Sequence, residues 1–142
     1  MSLYIDASAL LKVFFAEPES TRTCEILARE PRVVVSSLAR LESLIVVRSR
    51  ERSGLLTAEA ARRLAAQIEA RLLSAPFEFR ACPATIIEAA EQQIARSEAY
   101  CPTLDRLHLA AMEVMGLKRL LTNDTSQAAA ARALGYEVLM PR

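Results

Sequence analysis

Two short runs in this chain are apolar at every position, Leu3–Tyr4–Ile5 and Val33–Val34–Val35. A strand with one wet face alternates apolar and polar residues, whereas a strand that is apolar throughout must be covered on both faces. Three residues are too few for a buried helix, so each run reads as a buried strand. A sheet that is covered on both sides by the rest of its own chain is an α/β arrangement.

The intervening segments supply the helices. Ala7 to Glu17 carries Leu10, Leu11, Phe14 and Phe15 along one side, and Pro18 ends it. Glu19 to Arg29 follows, up to Pro31. Ser37 is placed to cap a helix that runs to about Arg52, with Gly54 as its stop. Thr57 caps a long Ala/Arg/Leu helix to Ser74, so that 37–74 forms a helical hairpin and the element most apt to project. Phe77 to Ala81 alternates and is a third strand. Pro83 opens a helix to Glu98, and Thr103 caps another over Leu104–Met115 that Gly116 ends. Arg119 to Thr122 is a strand, Thr125 to Leu134 a helix stopped by Gly135, and Glu137 to Met140 a last strand. Strands alternating with helices through short connections predict one domain, residues 1–142, built on a parallel sheet of about five short strands flanked by helices on both faces.

The composition agrees. A length of 142 residues, 52% of them hydrophobic and 25% charged, describes one globular core, and only three glycines favour helix. The net charge of +1 names no partner. The three cysteines, Cys24, Cys82 and Cys101, lack CxxC spacing and read as small core thiols of a reducing cytoplasm. Neither a leader segment nor a membrane span is visible, so a cytoplasmic protein is expected.

Four carboxylates stand where folding alone does not want them. Asp6 ends the first strand and Asp124 follows the fourth, and in open α/β sheets the crevice beyond the strand carboxyl ends is where ligands bind. Glu42 shares a helix face with Leu38 and Ile45, and Asp105 leads the face that continues through His108, Leu109 and Met112. Taken singly, each has a structural explanation in a helix cap, a snorkelling stem or a first-turn acid. Taken together, they repel unless a hard cation holds them. Oxygen ligands without clustered Cys or His select Mg²⁺ or Mn²⁺ over zinc, and metal-held acids point to phosphodiester hydrolysis by an activated water, leaving a 5′-phosphate and a 3′-hydroxyl. Ser8 and Thr122 offer hydroxyls near the strand ends, either for a water or phosphate or as ordinary helix caps. His108, the only histidine, reads as a helix-face residue that hydrogen-bonds near Asp105.

These segments resemble the PIN-domain family, and its VapC-like toxin branch in particular. Tyr4-Ile5-Asp6-Ala7-Ser8-Ala9-Leu10-Leu11-Lys12 is similar to the family's opening, Ser36-Ser37-Leu38-Ala39-Arg40-Leu41-Glu42 to its second acidic segment, Leu104-Asp105-Arg106-Leu107-His108-Leu109-Ala110 to its third, and Leu121-Thr122-Asn123-Asp124 to its fourth. The resemblance implies a Mg²⁺- or Mn²⁺-dependent ribonuclease acting on RNA. Asp6, Glu42, Asp105 and Asp124 would be its catalytic and metal-site acids, with Ser8 and Thr122 as supporting polar residues. It also implies a homodimer and an antitoxin protein that blocks the site. Some relatives carry a further acid shortly after the fourth, where this chain has Ser126 and Gln127, so one ion or two remain open. Arg106 replaces a small residue and can touch RNA phosphate or pair with a neighbouring acid.

Arginines gather at positions 40, 48, 50, 52, 62, 63 and 71, diluted by Glu42, Glu51, Glu59 and Glu69. They form a solvated helical face, or a rim that grips RNA backbone. With 5% aromatics and no Trp, broad base stacking is not expected. Phe14 or Phe15 either borders a groove for an amphipathic antitoxin helix or packs inward. Two other functions fit a chain of this kind. One is a different acid-and-metal phosphohydrolase, although Ser8 stands where a haloacid-dehalogenase-type site would carry its second Asp. The other is a non-catalytic PIN-like scaffold, which would have no need to keep all four acids.

Overall fold

The computed structural model describes all of residues 1–142. In chain order its elements are β1 (Leu3–Ile5), α1 (Ala7–Phe14), α2 (Ser20–Ala28), β2 (Val33–Ser36), α3 (Ser37–Arg52), α4 (Ala58–Leu72), β3 (Phe77–Arg80), α5 (Ile86–Arg96), α6 (Thr103–Val114), β4 (Arg119–Leu121), α7 (Thr125–Ala133) and β5 (Glu137–Leu139). The five strands form one sheet in the order β3-β2-β1-β4-β5, and every pairing is parallel.

The two apolar runs form the middle of the sheet, as their pattern requires. Leu3, Ile5, Val33, Val35 and Leu121 point to one face and join Leu10, Ile26, Leu27, Val47 and Ile68 in the larger core. Tyr4, Val34 and Leu120 point to the other and pack with Leu109, Met112, Ala130 and Ala131. The period of two along each strand thus separates an α1–α4 layer from an α6–α7 layer. Chain order reverses direction at β1: β2 and β3 extend one way from it, β4 and β5 the other. The carboxyl ends of β1 and β4 therefore flank the switch point at which open α/β sheets bind ligands.

Local details depart from the sequence reading at several element ends. The α3 cap is Ser36, whose Oγ accepts from Ala39 N, and not Ser37; Ser37 Oγ instead accepts from Cys82 N at 2.9 Å. Proline places an element start less sharply than expected: α5 begins at Ile86, three residues after Pro83, and Thr103 is the first residue of α6 with Pro102 before it. The α3–α4 hairpin is no free projection, because Val47, Ala61, Ile68 and Leu72 all enter the larger core. Only Cys101 is a core thiol; Cys24 is exposed and Cys82 half-buried.

Candidate active site

Asp6 leaves β1 and turns directly into α1. Its N–H continues the β1–β4 ladder by donating to the Leu121 carbonyl at 3.3 Å. Its carboxylate caps α1 through Oδ1, which accepts from Ala9 N at 3.1 Å and from Ser8 Oγ at 2.7 Å. Oδ2 accepts from Thr122 Oγ1 at 2.5 Å. Ser8 Oγ also accepts from Asn123 N at 2.9 Å, and Thr122 Oγ1 from Asp124 N at 3.1 Å. The two hydroxyls therefore tie the β1–α1 corner to the β4–α7 corner and set the orientation of Asp6; neither caps a helix. Asp6 is 4% exposed. Burial raises its pKa, and His108, Thr122, Ser8 and Ala9 only partly offset that rise.

Asp124 follows β4 and caps α7, with Oδ1 accepting from Ser126 N, Ser126 Oγ and Gln127 N. Burial pushes its carboxyl upward, but these donors outweigh burial and hold it below its ordinary value. Asp105 lies in the first turn of α6. No hydrogen-bond donor of the protein reaches its carboxylate, and its pKa stands at about 6, driven first by burial, then by the charges of Asp124 and Asp6, against the pull of His108. Glu42, two turns into α3, reaches the same place from the opposite helical layer and accepts from His108 Nε2 at 2.5 Å.

All four acids line one cavity of ≈ 330 Å³, together with Ser8 and His108 and with an apolar rim that includes Leu11, Ile45 and Leu104. Every proposed site residue except Thr122 lines this cavity, and Thr122 stands directly behind Asp6. The acids converge on one crevice without forming a closed ligand cage: no three Asp, Glu, His or Cys side chains are set to share an ion as they stand.

Two residues take places that the sequence reading did not assign. His108 bonds Glu42 and not Asp105, and its other nitrogen, Nδ1, lies 2.6 Å from the Tyr4 hydroxyl. Tyr4 counted only as a strand residue, but its hydroxyl also meets Ser36 Oγ at 2.8 Å. A hydroxyl-bearing ring inside a fully apolar strand was the available signal, because a buried phenol needs a partner. Burial holds that phenol protonated, with its pKa far above the ordinary value.

Arg106 fits neither expectation. It is 5% exposed and turned away from the crevice, donating to Gln93 Oε1 and to the Ala99 carbonyl. The arginine cluster is largely committed to the protein itself. Arg40, Arg50 and Arg71 lie over the rings of Phe79, Phe15 and Phe77, and Arg48 and Arg63 pair with Glu51 and Glu59. Phe14 and Phe15 are half-buried against the larger core, which favours the inward reading, although Phe14 also borders two surface grooves of ≈ 720 and ≈ 410 Å³. No helix is long and apolar enough to cross a membrane.

The chain is similar to known proteins over nearly its whole length. The PIN domain pattern matches residues 3–133. Ribonuclease VapC46 of Mycobacterium tuberculosis is 33% identical over 99% of this chain and 98% of its own length. Among solved structures, VapC20 of Mycobacterium tuberculosis, a sarcin-ricin loop cleaving toxin, superposes with a TM-score of 0.70 at 18% identity, over 90% of this chain and 94% of that one. DNA-bound VapBC of Salmonella typhimurium superposes with a TM-score of 0.73 at 16% identity, over 100% of this chain and 99% of that one.

Proposed function

This chain belongs to the PIN-domain family, and on that premise we propose that it is a Mg²⁺- or Mn²⁺-dependent endoribonuclease, the toxin of a toxin–antitoxin pair, working as one domain over residues 1–142. The observation that carries this reading is the meeting of Asp6, Glu42, Asp105 and Asp124, drawn from four separate segments, in one crevice at the β1/β4 switch point. Burial first, and then the charges of Asp124 and Asp6, raise Asp105 to about 6. The 33% identical relative named a ribonuclease supports the same activity.

The residues present fit a hard divalent ion. The donors are carboxylate oxygens, no thiolate lines the crevice, and Asp105 has no partner within the protein. Asp6, Glu42, Asp105 and Asp124 would hold the ion. When bound, Mg²⁺ or Mn²⁺ supplies polarisation of a phosphate oxygen and a more acidic water. The chain's own contribution is orientation. Ser8 and Thr122 fix both oxygens of Asp6, and α7 fixes Asp124 through its cap. Leu11, Ile45 and Leu104 border the acids and form the apolar rim of the crevice. Asp105, whose carboxylate accepts no hydrogen bond from the protein, is the group free to accept a proton from an attacking water.

An RNA backbone would approach along α3 and α4, where Arg52 and Arg62 are the cluster members with neither a paired acid nor a ring. The antitoxin would lay an amphipathic helix in the grooves that Val13 and Phe14 border beside α2 and α4. The active form would be a homodimer in the cytoplasm.

The test is cleavage of a defined RNA panel in Mg²⁺, Mn²⁺ or EDTA with the ends mapped. Internal cuts that leave 5′-phosphate and 3′-hydroxyl, only with metal, are expected. Equal cleavage in EDTA, or a covalent aspartyl-phosphate on Asp6, would remove the reading.

A further inference from the structure

A buried polar chain crosses the carboxyl end of the sheet and ends on one of the four acids. Ser36 Oγ lies 2.8 Å from the Tyr4 hydroxyl, that hydroxyl lies 2.6 Å from His108 Nδ1, and His108 Nε2 lies 2.5 Å from Glu42 Oε1. The four residues come from β2, β1, α6 and α3, so the chain joins the two helical layers through the central strand. Ser36 and Tyr4 are 0% exposed and His108 is 1% exposed; of the four, Glu42 and His108 line the crevice.

The direction at the functional end is set by chemistry. An ionised carboxylate only accepts, so His108 Nε2 donates to Glu42. His108 Nδ1 is committed to Tyr4, so neither ring nitrogen offers a lone pair to the crevice, and a general-base role for this histidine has no available atom. A purely structural role is also a poor explanation. Phe at position 4 and an aliphatic residue at 108 would fill similar volume without burying polar atoms that must all be satisfied. What the chain does achieve is a fixed end point. Asp6 is short and is locked by Ser8, Ala9 and Thr122, whereas Glu42 has a longer side chain with more rotamers to lose and no donor from its own helix.

We propose that His108 and Tyr4 are positioning residues that hold the Glu42 carboxylate at the crevice, committing one oxygen to the imidazole and leaving the other for the divalent cation. This rests on the metal reading above. Partners behind a ligand orient it and raise its basicity, and their loss costs about 10- to 100-fold in metal affinity.

The test uses the full-length protein, with Mn²⁺ binding measured by the loss of the free-ion electron paramagnetic resonance signal and folding checked by melting in chelator. Tyr4→Phe removes one hydroxyl, and folded protein is expected to bind Mn²⁺ about 10-fold more weakly. His108→Gln, whose amide keeps a donor toward Glu42, is expected to bind more tightly than His108→Leu. In the parent, the side-chain ¹⁵N resonances of the single histidine are expected to shift as Mg²⁺ saturates, a measurement that needs no variant to fold. Folded Tyr4→Phe and His108→Leu proteins that bind Mn²⁺ as the parent does, or imidazole resonances indifferent to Mg²⁺, would overturn the positioning role alone. A parent that binds no Mn²⁺ would overturn the metal reading with it.

Discussion

The two ends of the same sheet treat charge in opposite ways. At the amino end of β4, Arg119 donates twice to Glu30, at 2.8 and 2.9 Å, and stands 3.5 Å from Glu137 at the start of β5. The side chains of Arg119 and Glu30 are 16% and 10% exposed. Each stabilises the other's charged form: the Arg119 guanidinium holds Glu30 below its ordinary range, and Glu30 raises Arg119. In the crevice at the carboxyl end four carboxylates gather. Asp105 is driven up to about 6 and Asp6 is raised, with no Lys or Arg lining the cavity. Paired charge that each partner favours is what a fold needs at the end of a sheet. Unpaired charge of one sign, kept in a crevice at some expense of stability, marks a place built for a ligand.

That contrast can be broken most decisively at Asp6. Asp6→Asn keeps a side-chain oxygen to cap α1, so the protein should remain folded, while Mg²⁺-dependent RNA cleavage should fall by at least about 100-fold, the upper end of what even an outer partner of a metal ligand contributes. Cleavage rates on one defined RNA check this, and parental rates in the variant would mean that the crevice is not the site.

The opposite pole should respond in stability and not in chemistry. Arg119→Ala leaves Glu30 without its donors and should cost about 1–3 kcal/mol in urea unfolding, with the cleavage rate of the folded fraction unchanged. Loss of activity without loss of stability would show that the two poles are not separable.

Their pH dependences should have opposite signs. Asp105 has a folded pKa raised from 3.8 to about 6, so the folded state binds more protons across that window. In chelator its contribution is most favourable below about pH 4 and is lost as pH rises toward 6. Glu30 is lowered from 4.5 by Arg119, so its contribution is present above that value and is lost as pH falls through the folded pKa. Melting midpoints of the parent, Asp105→Asn and Glu30→Gln across that range separate the two. Asp105→Asn should flatten the loss on raising pH, the smallest effect of the three, and an unchanged profile would count against crowding at Asp105.

Legibility in the sequence follows the range of the interaction. Leu3–Ile5 and Val33–Val35 were readable as buried strands because burial on both faces leaves no polar position in either run. Asp6 and Asp124 were readable as crevice residues because each follows such a strand. Their bonds to Ser8 and Ser126 are local, and Thr122 lies two residues before Asp124. Glu42 stood out against Leu38 and Ile45 on its helix. The bond between Tyr4 and His108 spans 104 positions and that between His108 and Glu42 spans 66, and no spacing rule reaches so far. Arg106 misled for the same reason: its partners, Gln93 and Ala99, come from α5 and the loop after it. The start of α5 was set too early because a proline permits a helix start without requiring one there.

In the metal-dependent function proposed above, a divalent cation relieves like-charge crowding at the carboxyl end of the sheet. The most direct test of that relief is the melting midpoint of the metal-free parent at neutral pH as Mn²⁺ is added, beside Asp6→Asn and Asp105→Asn. The midpoint of the parent should rise with Mn²⁺ while those of the two variants rise far less, since binding to the folded state stabilises it in proportion to affinity. A parent indifferent to Mn²⁺, or variants that gain as much from it, would contradict the account.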